Sequence, residues 1–295
     1  MKCQCYDYDY AVIGGDMRQV YLAEELARSA NRVCCYGLCA DGTSASQAAS
    51  LSEICSSSPC LIGPIPFCKN GDFLNQSAFQ QALPIKLLLP NLKSGQSFFA
   101  GCIPGNFREA VEEKGVRVFD LMENPQLSYF NTIATAEGAV CEAIRISPVN
   151  LHQSSCAVLG YGKCGRTLSH YLKGMFCHIY VAANPEEERA QAALIADETG
   201  TLKEFEVCVK EFDFIFNTIP ALVVPAGLLD GVKRSVSIID IASAPGGVDF
   251  EAAKKQGISA VLCPGLPGKY APLSSARAIR DIIEKNVERS VQKCL

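Results

Sequence analysis

Short runs of consecutive apolar residues alternate along the chain with stretches in which apolar positions recur at helical spacing. In the first part the runs predict strands over residues 8–13, 32–36, 60–65, 85–89, 97–100 and 117–120, with helices over 18–29 and 106–114. Strand–helix alternation implies a parallel sheet with helices on both faces. Pro59, Pro64, Pro66, Pro84, Pro90 and Pro104 punctuate the loops. A new pattern opens at Thr135-Ala136-Glu137-Gly138, read as a helix that runs to residue 146, with Thr135 as N-cap and Glu137 in its first turn. A second α/β series follows, with strands over 156–159, 177–182, 213–217, 237–239 and 260–262, and an amphipathic helix over 273–291. The expected fold class is α/β with two doubly wound domains and a cleft between them. Residues 1–134 form a flavodoxin- or Rossmann-like substrate-side domain, 135–152 a linking helix, 153–270 a Rossmann domain, and 271–295 a helix returning to the first domain.

The strand over 156–159 runs directly into Gly160-Tyr161-Gly162-Lys163-Cys164-Gly165, and a helical pattern over 166–173 and a second strand follow. In a dinucleotide-binding unit the first glycine permits the tight turn, the second lets the pyrophosphate approach, and the third lets helix and strand pack closely. The helix N-terminus then offers N–H groups to phosphate. Strand, loop, helix and strand at this spacing make a strong signal for a nicotinamide dinucleotide. Where an NAD site usually has Asp or Glu for the ribose hydroxyls, this chain has Ala182-Ala183-Asn184, with Arg189 the nearest cation beyond Glu186, Glu187 and Glu188. That balance favours NADP, with NAD as the alternative. The later strands end in Thr218-Ile219-Pro220, in Asp240-Ile241-Ala242-Ser243 and in Cys263-Pro264-Gly265, stops that suit a ligand-lined sheet edge.

Composition narrows the class. The chain has 295 residues, 48% hydrophobic, enough for two cores, and a net charge of −4 with its basic residues dispersed, which argues against nucleic acid. No segment reads as a signal peptide or a membrane span, so a cytoplasmic protein is expected. There are 16 cysteines, but no Cys-x-x-Cys pair; the nearest approaches are Cys3/Cys5, Cys34/Cys35 and Cys35/Cys39. Cysteine is read as a small core hydrophobe, without disulfides or zinc. His152, His170 and His178 all fall away from strand carboxyl ends, which disfavours a histidine-driven hydroxyacid oxidation.

The candidate substrate residues are more scattered. Gly14-Gly15-Asp16-Met17-Arg18 follows the first strand; Asp16 reads as an N-cap or a site residue, and the Arg18 fork suits a carboxylate. Asn131, Thr135 and Glu137 would line the interdomain bridge, and Lys269 follows the last glycine loop.

At these residues the chain resembles the family of dipicolinate synthase A subunits. The matching segments are Ile13 to Asp16 with Arg18-Gln19, Thr135 to Gly138, Leu159 to Gly162 with Gly165, Asn217 to Val224, Asp240 to Ser243 with Pro245 to Gly247, and Pro264 to Gly268 with Ala271-Pro272. The chain departs from the family pattern at Ala134, where a proline is typical, and near Asn184, where a basic residue is common. The resemblance implies oxidation of a cyclic diacid of the dihydrodipicolinate type, a branch of the lysine pathway, to pyridine-2,6-dicarboxylate, with NADP as hydride acceptor. It also implies a flavoprotein-like B subunit of dipicolinate synthase as partner and a role in spore formation; a homo-oligomer is expected separately. On this reading Arg18 and Lys269 hold carboxylates, Asn131 and Thr135 orient the ring, and Glu137 or Asp240 accepts a proton. The competing readings are a D-isomer 2-hydroxyacid or alanine-type dehydrogenase, and a non-catalytic NADP-binding subunit.

Overall fold

The computed structural model describes residues 6–29, 31–38, 45–77 and 82–292; Cys3, Cys5 and Cys39 lie outside them. The chain divides into two compact units, Met1–Phe130 with Ala271–Leu295, and Asn131–Tyr270.

Unit 1 opens with β1 (Tyr10–Ile13), α1 (Met17–Arg28), β2 (Val33–Tyr36), β3 (Ser46–Gln47), α2 (Leu51–Ser57) and β4 (Cys60–Ile62). A small antiparallel pair, β5 (Cys68–Lys69) and β6 (Phe73–Leu74), precedes β7 (Ser97–Ala100), α3 (Gly105–Glu112) and β8 (Arg117–Asp120). The main sheet is parallel throughout, in the order β3-β2-β1-β4-β7-β8. All four residues of β1 are buried, as both faces of such a sheet require. The segment expected as a strand over 85–89 is instead two 3-10 turns, Ile85–Leu87 and Leu89–Asn91. Pro84 precedes the first turn and Pro90 lies within the second, and the amides of Leu87 and Leu88 bond locally to Pro84 and Ile85 carbonyls, so Ile85 and Leu88 enter the core without a ladder.

The helix expected from Thr135 starts about ten residues earlier. It is α4 (Pro125–Ile146), with proline in its first turn and Asn124 accepting from the Leu127 amide at 3.0 Å. Thr135 is therefore mid-helix, its hydroxyl donating to the Asn131 carbonyl one turn back (2.9 Å).

Unit 2 continues with β9 (Ser155–Leu159), α5 (Lys163–Gly174), β10 (His178–Ala182), α6 (Glu186–Ala192), β11 (Glu198–Gly200), α7 (Leu202–Cys208), β12 (Phe214–Asn217), α8 (Ala226–Leu229), β13 (Ser237–Asp240), α9 (Phe250–Gln256), β14 (Ser259–Leu262) and α10 (Leu266–Tyr270). Its sheet is parallel in the order β11-β10-β9-β12-β13-β14, the doubly wound dinucleotide-binding order, with the order of strand addition reversing between β9 and β12.

Finally α11 (Pro272–Gln292) packs on α1 within unit 1. Ala276, Ile279, Ile282 and Ile283 join Val20, Ala23 and Leu26 in one core, where each isoleucine contributes roughly 1.5–3 kcal/mol. Glu25 of α1 is buried under Arg277 and Arg280, which hold its carboxyl below its ordinary range, the Arg277 hydrogen bond first.

Candidate dinucleotide site

The glycine loop of unit 2 sits at the carboxyl end of β9, beside the point where strand order reverses. Gly160 has a left-handed backbone (φ +88°), and a Cβ there would meet Thr218 Oγ1 at 2.6 Å and Ile219 Cγ1 at 2.9 Å. A Cβ on Gly165 would strike the Gly160 carbonyl oxygen, so the first turn of α5 lies directly on the strand end. Gly162 differs: a Cβ there meets nothing within 4 Å, so the protein itself does not demand glycine. Gly162 is also the N-cap of α5, and no side chain caps that helix. An open approach to an uncapped helix terminus of 12 residues is what a diphosphate requires. The residues present thus fit a dinucleotide.

Around the loop, Tyr161 is buried, Lys163 is exposed, and burial raises the Cys164 thiol. Thr218 Oγ1 donates to the Leu159 carbonyl (2.9 Å), which ties the end of β12 to that of β9. Ile219 is half-buried, whereas Pro220, Ser243 and Gly265 are exposed at this edge and Ala242 is buried. Asn184 and Arg189 lie at the end of β10, each held by the main chain.

Asp240 is enclosed by hydrogen-bond donors rather than open at the sheet edge. It is fully buried, and its carboxylate accepts from Asn217 Nδ2 (2.9 Å), the Ala242 amide (3.0 Å) and the Gly247 amide (2.6 Å). Asn217, which sequence reasoning passed over, bonds Ile219 with both ends of its amide, so this pair fixes the loops after β12 and β13.

Glu137 also stands away from the loop. Thr132 meets Thr167 of α5 at 2.7 Å, and Glu137 accepts from the Tyr171 hydroxyl at 3.1 Å, so α4 and α5 run alongside in the same sense. Tyr171 lies eight residues into α5, roughly 12 Å below its N-terminus. Lys269 reaches a point further along α4: with Tyr270 (2.7 Å) and Arg145 (2.7 Å) it binds the buried Glu142. Burial alone would raise that carboxyl, but the Lys269, Tyr270 and Arg145 bonds outweigh it and hold it at about 2. Of the predicted substrate residues in this unit, Asn131, half-buried and next to Thr132, remains near the loop, because the Thr167 hydroxyl also bonds Lys163.

Unit 1 has the same strand order, yet its corresponding loop is closed. The Gly15 amide donates to Asn75 (2.8 Å), and Ser77 returns a bond to Gly15 (2.9 Å). Asp16 caps α1 in a reciprocal box with Gln19. Arg18 is 3% exposed, its guanidinium spent on Asp16 and the Ile65 carbonyl, so it is not available to a substrate carboxylate.

Residues 9–122 match the family described as the N-terminal domain of the dipicolinate synthase A subunit. Over 190 residues the chain is 32% identical to the A subunit of dipicolinate synthase from Bacillus subtilis (strain 168). That match spans 63% of this chain and 63% of the relative. The crystal structure of the dipicolinate synthase A subunit from Bacillus halodurans superposes with a TM-score of 0.84 at 25% identity, covering 95% of this chain and 98% of that one. The chain is thus similar to dipicolinate synthase A subunits in sequence and in fold, over the spans given. Its two-domain fold is also shared with a transhydrogenase from Sinorhizobium meliloti (TM-score 0.66, 15% identity, 94% of each chain). Among the described residues no helix is long and apolar enough to cross a membrane, and no cluster of His, Cys, Asp and Glu could hold a metal.

Proposed function

We propose that this chain oxidises a cyclic diacid of the dihydrodipicolinate type to pyridine-2,6-dicarboxylate, acting with a flavoprotein-like second subunit. The observation that carries the reading is the open glycine loop of unit 2, in a chain related to the A subunit of dipicolinate synthase. A bound nicotinamide dinucleotide supplies the hydride acceptor. The ring would lose two hydrogens, one as a hydride that a bound nicotinamide would accept and one as a proton to water, and would gain aromaticity. The protein's main task is therefore placement. The amides at the start of α5 receive the diphosphate, and Thr218, Ile219 and the Asn217–Asp240 pair shape the far wall. Asn131, half-buried on α4 beside Thr132, is the residue assigned to orient the ring. A soluble cytoplasmic enzyme, assembled as an oligomer and active in spore formation, accords with this reading.

The test mixes the full chain with freshly made cyclic diacid and nucleotide, with and without the second subunit, and follows the pyridine product by ultraviolet absorbance. Product coupled to nucleotide reduction is expected; reduction absent under both conditions, with nucleotide shown to be bound, rejects the reaction.

A further inference from the structure

β10 ends at Ala182-Ala183-Asn184, without the carboxylate that commonly meets the adenosine ribose. Asn184 Oδ1 already accepts from the Leu202 amide (3.2 Å). Arg189, the cation expected to balance a 2′-phosphate, donates Nη1 to the main-chain carbonyls of Ala183 (2.9 Å) and Asn184 (2.5 Å). It is pinned under the turn that it was expected to serve.

The group that reaches the glycine loop is Glu188. Its Oε2 accepts from the Tyr161 amide at 3.3 Å, across 27 positions of sequence. Tyr161 directly follows Gly160, whose own amide is bonded to the Ala182 carbonyl (2.8 Å). Loop, end of β10 and the Glu188 carboxylate thus meet at one place. We propose that Glu188 receives the adenosine ribose hydroxyls, and that this chain selects NAD over NADP.

The chemistry is asymmetric. A ribose 2′-hydroxyl can donate to a carboxylate, whereas a 2′-phosphate has mostly acceptors and brings negative charge against it. Glu186 and Glu187, exposed on the same helix, add to that field. Of the cations in the first turns of α5, Lys163 is exposed, and Arg166 donates Nε to the Tyr161 carbonyl (2.9 Å) with its guanidinium 5.6 Å from the Tyr161 ring centre. The carboxylate that the strand end lacks is supplied from α6.

This rests on the dinucleotide reading above, and calorimetric titration of the full chain with NAD and with NADP separates the two. NAD is expected to bind at least roughly tenfold more tightly. Glu188→Gln should bring the ratio close to one, Glu188→Asp should keep part of it, and Glu187→Gln should leave it unchanged. A Glu188 that only braced the loop would weaken both nucleotides alike and leave their ratio intact. Equal or tighter NADP binding by the unaltered chain, or an unchanged ratio in Glu188→Gln, overturns the ribose assignment alone. No heat with either nucleotide overturns the dinucleotide site as well.

Discussion

A methyl group at position 162 would have no neighbour within 4 Å, while one at 165 would collide with the Gly160 carbonyl. The two substitutions therefore separate binding from folding. Gly162→Ala should leave the thermal midpoint within about a degree or two yet weaken nucleotide binding at least roughly tenfold, because the methyl fills the diphosphate approach. Gly165→Ala should lower both, the midpoint by several degrees. A second residue-scale prediction concerns Glu142. Its folded carboxyl lies at about 2, below the ordinary unfolded value, so its contribution to stability is present above the unfolded value and is lost as pH falls through the folded one. Glu142→Gln should destabilise the protein near neutrality by roughly 1–3 kcal/mol, the figure expected for losing a charged hydrogen-bond partner. The gap to the unaltered chain should narrow between about pH 4.5 and 2 in chemical unfolding curves.

At the scale of elements, α1 and α5 begin after equivalent strands and end their loops differently. Asp16→Ala removes a cap and strands the buried Arg18, so a loss of at least about 1 kcal/mol is expected from denaturant unfolding, with nucleotide affinity unchanged. The strand–glycine–helix–strand unit around Gly160 was legible in the sequence because its causes are local: an apolar run, glycines at fixed spacing and a helical period. So were strands such as Ser97–Ala100 and Arg117–Asp120, which the structure reproduces at the same residues. Local cues misled where distant or overlapping partners decide. Thr135 resembles a cap, but Asn124 already starts that helix. The apolar run at 85–89 has strand composition, yet flanking prolines turn it back on itself. Arg18 looks available until the Ile65 carbonyl, 47 positions away, is brought against it. The reach of Glu188 to Tyr161 is of the same kind, fixed by how α6 folds beside the loop.

For the molecule as a whole, the decisive property is that unit 1 is assembled from two separated stretches of chain, whereas unit 2 is one continuous stretch. Ending the chain after Tyr270 would remove Ala276, Ile279, Ile282 and Ile283 from the unit 1 core and leave Glu25 buried without Arg277 and Arg280. Those losses approach the roughly 5–15 kcal/mol that typically stabilises a domain. Hydrogen exchange should show unit 1 losing protection while unit 2 still binds nucleotide; retained protection across β1 and α1 would contradict the packing described. The same arrangement dictates a timetable on the ribosome. With α1 made early and α11 more than 200 residues later, at ~5–20 residues per second the apolar stripe of α1 waits roughly 10–50 s for its cover. Unit 2 is therefore complete before unit 1, whose N-terminal segment stays uncovered until α11 is made.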